Sequence, residues 1–178
     1  VNLDNATDDY NKLEISNSSV ENNSTMTGTQ AGQVAIAQEN IYNNPFNINW
    51  VTLTNNGTIN LTGANSTAMY AKSGIIKNTN DITVGDSSTG IYGTDNSQIS
   101  NTGVITIGSD STGMYYDDAR NSTTTTTGMT NNGTIRSVGN NSVGMSYNHI
   151  GSNATTFENA GTIELTGDKN TGMYAAGD

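Results

Sequence analysis

Asn55-Asn56-Gly57-Thr58-Ile59-Asn60-Leu61-Thr62-Gly63, followed by Ser66-Thr67-Ala68-Met69-Tyr70-Ala71, decides the fold because the phrase returns. Further copies open at Asn78, Asn101, Asn131 and Asn159. Subtracting successive openings gives spacings of 23, 23, 30 and 28 residues. Self-similarity at such a period signals stacked structural repeats. Within each copy Ile59 and Leu61, Ile82 and Val84, Ile105 and Ile107, or Ile163 and Leu165 lie two apart. That spacing puts both on one side of a strand, with Asn60, Thr83, Thr106 and Glu164 on the other. Met69, Ile91, Met114, Met145 and Met173 mark a second strand. Leu53, Ile76, Ile99, Met129 and Phe157, two places before the opening Asn, mark a third. Three short strands in about 23 residues make one coil of an all-β, parallel β-helix. Helices are disfavoured by the abundance of Gly, Asn and Thr.

Composition agrees with a solenoid. Only 32% of the 178 residues are hydrophobic, too few for a compact globule but enough for a narrow stacked core. The net charge is −10, with six Lys plus Arg spread thinly, so no basic patch for nucleic acid is expected. Anionic membrane surfaces would repel the chain, and no apolar run reaches the length of a membrane span. There is no cysteine, which excludes disulfides and thiolate metal sites. Val1 opens no signal peptide, so an export signal is expected outside this sequence.

The sequence divides into residues 1–29, read as a divergent or capping coil, and repeats over 30–178. Gly32-Gln33-Val34-Ala35-Ile36 aligns with Gly57–Leu61, which suggests a degenerate coil over 30–54; the regular coils follow over 55–178. Tyr42, Pro45, Phe46 and Trp50 fall in the degenerate coil and read as a local aromatic plug. Two coils are enlarged, by residues 115–127 and 147–154, both between the Met strand and the third strand. Insertions at one register project from one face, often a binding face. About seven coils would span roughly 30–35 Å.

The opening Asn column is expected to stack its amides along the axis and to occupy a left-handed turn. Gly57, Gly103, Gly133 and Gly161, with Asn80 as the fifth member, are expected to share that turn. Tyr70, Tyr92, Tyr115 and Tyr174 each follow the Met column by one residue, so they point outward if Met points inward. Such a ladder, interrupted at Ser146, either braces the sheet or binds sugars or a protein. The lateral loops add Tyr116, Asp117, Asp118, Arg120, Tyr147 and His149 as candidate ligand-binding residues.

Catalytic and metal-binding sets are not apparent, and no cofactor is expected. His149 is the only His, and Asp86, Asp110 and Asp168 sit in turns. Asp117 and Asp118 alone fall short of the six or more oxygens that calcium takes.

The repeated phrase, Asn-x-Gly-Thr-Ile-x-Leu-Thr-Gly with a following Ser-Thr-Gly-Met-Tyr-Ala, resembles the passenger repeats of bacterial type V autotransporter adhesins. The large fusobacterial outer-membrane adhesins are the most similar. The resemblance covers residues 55–178 well, 30–54 weakly and 1–29 hardly at all. It implies a right-handed β-helical passenger on the bacterial cell surface, tethered to the outer membrane through a region outside this chain. The function implied is attachment to a host-cell receptor protein, a glycan or other bacteria. The alternatives are a polysaccharide-degrading enzyme and a structural spacer without ligand.

Overall fold

The computed structural model describes residues 1–5, 13–14, 19–39, 51–118, 128–149 and 155–177. Its strands form three parallel sheets, and consecutive strands of the chain go to different sheets in strict rotation. This is a right-handed parallel β-helix with three strands per coil. One sheet carries the opening asparagines: Val20–Asn22, Thr52–Asn55, Ile75–Asn78, Gln98–Asn101, Gly128–Asn131 and Thr156–Asn159. The Ile sheet holds Thr25–Gly28, Thr58–Leu61, Ile82–Val84, Val104–Ile107, Thr134–Ser137 and Thr162–Leu165. The Met–Tyr sheet holds Leu13–Glu14, Val34–Glu39, Thr67–Lys72, Thr89–Thr94, Thr112–Asp118, Val143–His149 and Thr171–Gly177. The described residues thus contain six complete coils. Beneath the first, Asn2 bridges Thr27 and Leu13 pairs with Ile36.

Register explains the core. Met26, Ile59, Ile82, Ile105, Ile135 and Ile163 stand opposite one another from coil to coil. So do Ile36, Met69, Ile91, Met114, Met145 and Met173. The third file is Val20, Leu53, Ile76, Ile99, Met129 and Phe157. From Ile59 to Met145 the members of these files are 0–3% exposed. Each apolar side chain therefore rests on the same position one coil away, and few are needed per coil.

The first coil corrects the alignment of Gly32–Ile36 on Gly57–Leu61. Val34–Glu39 pairs instead with Thr67–Lys72, Ile36 opposite Met69, and the true counterpart of Thr58–Leu61 is Thr25–Gly28. Met26 fills the Ile position and Asn22 is the opening asparagine, 33 residues before Asn55. This coil is therefore enlarged as well. In all three enlarged coils the described Met–Tyr strand ends, at Glu39, Asp118 and His149, on one corner, where the Met–Tyr sheet gives way to the Asn sheet. The aromatic cluster at Tyr42, Pro45, Phe46 and Trp50, and the run of five threonines at 123–127, lie outside the described residues.

The asparagine ladder forms as expected, but its turn does not. Nδ2 of Asn22, Asn55, Asn78, Asn101 and Asn131 donates to Oδ1 of the next rung at 2.7–2.8 Å. These residues end strands and have ordinary φ. Among the described residues the left-handed positions are Gly32, Asn65, Ser87, Asp110, Asn141 and Lys169, at the corner between the Ile and Met–Tyr sheets, with Ser73 and Asp95 at the tight corner between the Met–Tyr and Asn sheets. The glycine column also has ordinary φ; its requirement is space. A Cβ on Gly103 would sit 2.2 Å from the Asn80 carbonyl oxygen, and one on Gly133 2.1 Å from that of Gly103.

Candidate functional site

The outer face of the Met–Tyr sheet gathers the aromatic candidates. Along each strand the alternation carries Met69, Ile91 and Met114 inward and Tyr70, Tyr92 and Tyr115 outward, so the rings form one row. Ring centroids are 5.3 Å apart between Tyr70 and Tyr92 and 5.0 Å between Tyr92 and Tyr115. The first pair is tilted by 52° and the second is stacked at 27°. All three rings are half-buried. Beyond Tyr115 the register places Ser146, then Tyr174, which is 54% exposed.

Two polar rows flank the aromatic one. Towards the enlarged corner run Lys72, Thr94, Asp117 and Asn148. Asn148 Nδ2 donates to Asp117 Oδ1 at 2.9 Å, and Lys72 Nζ lies 4.0 Å from Asp95 Oδ2. On the other side run Thr67, Thr89, Thr112, Val143 and Thr171. Partial burial raises the pKa of the Tyr92 and Tyr115 phenols, and the Asp117 carboxylate adds to it by opposing a second negative charge.

The loop candidates separate. Tyr116 and Tyr147 are not loop residues: the strands Thr112–Asp118 and Val143–His149 run on past them, and the alternation turns both rings inward. They are 0% and 5% exposed, out of reach of a surface ligand. Their rings stack at 4.9 Å, and Phe157 continues the pile at 5.2 Å from Tyr147. The Tyr116 hydroxyl donates to the Asp95 carbonyl, and the Tyr147 hydroxyl bonds Thr155 Oγ1. In the short coils the same inward position holds Ala71 and Gly93. There the chain folds back tightly, and a Cβ on Gly93 would meet Ile99 at 2.8 Å. Where the corner is enlarged, Gln38, Tyr116 and Tyr147 fill the wider space.

Asp117 faces outward in the polar row, and His149 is half-buried with its ring 5.9 Å from Tyr147. Asp118 ends its strand, and Arg120 lies outside the described residues. The surface therefore unites Tyr70, Tyr92, Tyr115, Tyr174 and Asp117. Two shallow hollows elsewhere, over Gly128 on the Asn sheet and beside Arg136 and Glu164 on the Ile sheet, include none of the candidates.

One internal feature escaped sequence reading. Ser66, Ser88, Ser111 and Ser142 are buried, and backbone N–H groups donate to their hydroxyls or equivalents: Ser66 N to Ser88 Oγ at 2.9 Å, Ser88 N to Ser111 Oγ at 3.0 Å, Ser142 N to Asn170 Oδ1 at 2.7 Å. The signal was the Ser two places before Ala68, Gly90, Gly113 or Gly144, hidden among many other serines.

Three rotating parallel sheets around stacked apolar files define a β-helical solenoid. The chain belongs to the family of the BigA third pectate lyase-like domain, whose family model matches residues 1–178. No curated protein and no solved structure matches it. Among the described residues no helix is long and apolar enough to cross a membrane.

Proposed function

We propose that this chain is a segment of an extracellular adhesin passenger that attaches to partner surfaces through the outer face of its Met–Tyr sheet. The observation that carries the reading is the row Tyr70, Tyr92 and Tyr115, in ring contact at 5.0–5.3 Å yet partly exposed between two polar rows. Partly exposed Tyr side chains, each an apolar ring with a polar end, are of the kind that anchors recognition surfaces. The partners are a host-cell receptor protein, a glycan or another bacterium, by resemblance to the fusobacterial outer-membrane adhesins. The rigid stack holds this face at a fixed bearing.

Binding is favoured over turnover by where the carboxylates are spent. Asp86 Oδ1 accepts the Ser109 N–H at 2.8 Å, Asp110 Oδ1 accepts Asn141 Nδ2 at 3.0 Å, and Asp117 accepts Asn148. A lyase or glycosidase needs carboxyl groups aimed at substrate instead. Attachment of the purified chain to cultured host cells and to co-resident bacteria tests the proposal, with Tyr92→Ala as the variant. Loss of attachment with an unchanged circular dichroism spectrum is expected. Equal attachment by Tyr92→Ala overturns the reading. New reducing ends on incubation with acidic polysaccharides would replace it with the enzymatic one.

A further inference from the structure

The stacked tyrosines leave little of their ring faces to a ligand. At 5.0–5.3 Å between centroids, tilted in one pair and stacked in the other, Tyr70, Tyr92 and Tyr115 partly cover one another. Contact between carbon surfaces needs about 3.5–4.0 Å on each side, so nothing inserts between them. The situation changes at Ser146. It stands directly opposite Tyr115 on one side and Tyr174 on the other. Tyr115 and Tyr174 are therefore two coils apart, about 9.6 Å at the spacing of hydrogen-bonded strands. The side chain between them is small. The missing ring leaves a gap in the aromatic row at Ser146, with an aromatic residue on either side.

We propose that this slot is a binding site for one neutral pyranose ring of a glycan, a proposal that rests on the outer Met–Tyr face being the attachment surface. Two van der Waals contacts take up about 7–8 Å of the gap. A flat ring would rattle in the remaining ~2 Å. A chair, with its carbons at staggered heights and axial C–H groups on both faces, fills it. The walls match in chemistry: apolar above and below, polar around the edge, as sugar hydroxyls radiating from a ring require. Asn148 and Asp117 form a hydrogen-bonded pair in the row on one side. Thr112 and Thr171, with Val143 between them, form the row on the other. The Asp117 carboxylate, in a chain of net charge −10, selects against carboxylated or sulfated sugars. The slot also lies beside the corner where the strands end at Asp118 and His149.

Saturation-transfer NMR on the whole chain tests this, with methyl glycosides of neutral hexoses and N-acetylhexosamines as probes. Sialic acid and a tyrosine-rich peptide serve as competitors. Ser146→Tyr is the decisive variant, because it completes the ladder and fills the slot without touching the core. We expect axial C–H protons of a neutral glycoside to receive saturation from the native chain. Ser146→Tyr and Tyr174→Ala should each weaken binding about tenfold or more, as loss of one stacking face does. Tyr70→Ala, far from the slot, should bind as the native chain does. Binding that survives Ser146→Tyr, a preference for sialic acid, displacement by the peptide, or no binding of any neutral glycoside overturns the slot. If Ser146→Tyr still attaches to cells while Tyr92→Ala does not, the slot fails and the attachment surface stands. If the native chain attaches to nothing, both fall.

Discussion

Replacing Asn101 by Ala should break the internal amide ladder at its centre. Asn101 is wholly buried. Its Nδ2 donates to Asn131 Oδ1 at 2.8 Å and to the Gly103 carbonyl at 3.2 Å. Its Oδ1 accepts Asn78 Nδ2 at 2.8 Å and the Gly103 N–H at 3.2 Å. After truncation two of these partners keep an alternative: Asn78 Nδ2 still reaches the Asn80 carbonyl at 2.7 Å, and the Gly103 carbonyl still accepts Thr134 N at 2.9 Å. Asn131 Oδ1 and the Gly103 N–H lose the hydrogen bonds described for them. Each buried orphan costs about 1–3 kcal/mol, so the substitution should destabilise the protein by roughly 2–6 kcal/mol. Asn159→Ala is the matched control. Asn159 is half-buried, water can replace what it offers, and Asn131 Nδ2 has two further carbonyls within 3.5 Å. Its loss should cost about 1 kcal/mol or less. Urea unfolding followed by circular dichroism measures both. If Asn101→Ala costs under about 1 kcal/mol, or no more than Asn159→Ala, the ladder is not a source of stability.

Gly103→Ala should destabilise by about 1–3 kcal/mol, because its Cβ meets the Asn80 carbonyl oxygen and nitrogen at 2.2 and 2.6 Å and neither can yield. Gly32→Asn should change stability by no more than about 0.5 kcal/mol: no atom lies within 4 Å of its Cβ, and Asn65 and Asn141 hold the same left-handed corner. Equal thermal shifts for the two variants would contradict this account of the glycine column. In an ultraviolet absorbance titration, Tyr92 and Tyr115 should ionise above the ordinary 10.0. Their contribution to stability is complete below the unfolded-state value and is lost as pH rises through the higher folded one. Asp117→Asn should lower both values, and no change would remove the carboxylate as a cause. Asp4 should titrate at about 2, held down first by the Thr29 N–H at 2.7 Å and then by the Thr29 hydroxyl. The support it gives the turn at Thr29 and Gln30 is present above the usual 3.8 and fades as pH falls towards 2, readable as faster amide exchange there. Titration of Asp4 at 3.8 would exclude that linkage.

The three inward files and the asparagine ladder are legible because an apolar residue, or an Asn, recurs at one step, and only vertical stacking explains that. Tyr116 and Tyr147 were misplaced for a physical reason. In the short coils the strand ends in a small inward residue, Ala71 or Gly93, before a tight corner. With an enlarged corner the strand continues, and its length depends on space that no local pattern encodes. The first coil was obscured by three exchanges at once: Met26 for Ile, Ser24 for Gly, and Gln33 for the buried Ser. The similarity of Gly32–Ile36 to Gly57–Leu61 then drew the alignment to the wrong sheet. The left-handed corner carries no consistent letter because five residue types, over six positions from Gly32 to Lys169, satisfy one backbone demand. The Tyr row was read correctly as outward, but mutual covering of the rings depends on coil spacing. Only that spacing shows Ser146 as an opening instead of an interruption.

The corner at which the strands end at Glu39, Asp118 and His149 has a consequence for display. In-register stacking makes it a straight edge graduated in single coils. These three strand ends stand at the first, fourth and fifth graduations, about 14 Å and then about 5 Å apart at ~4.8 Å per step. A partner that touches all three must lie broadside to the rod. Adding whole coils between two of these ends would move them apart while keeping them on that edge, so reach and bearing can be altered separately.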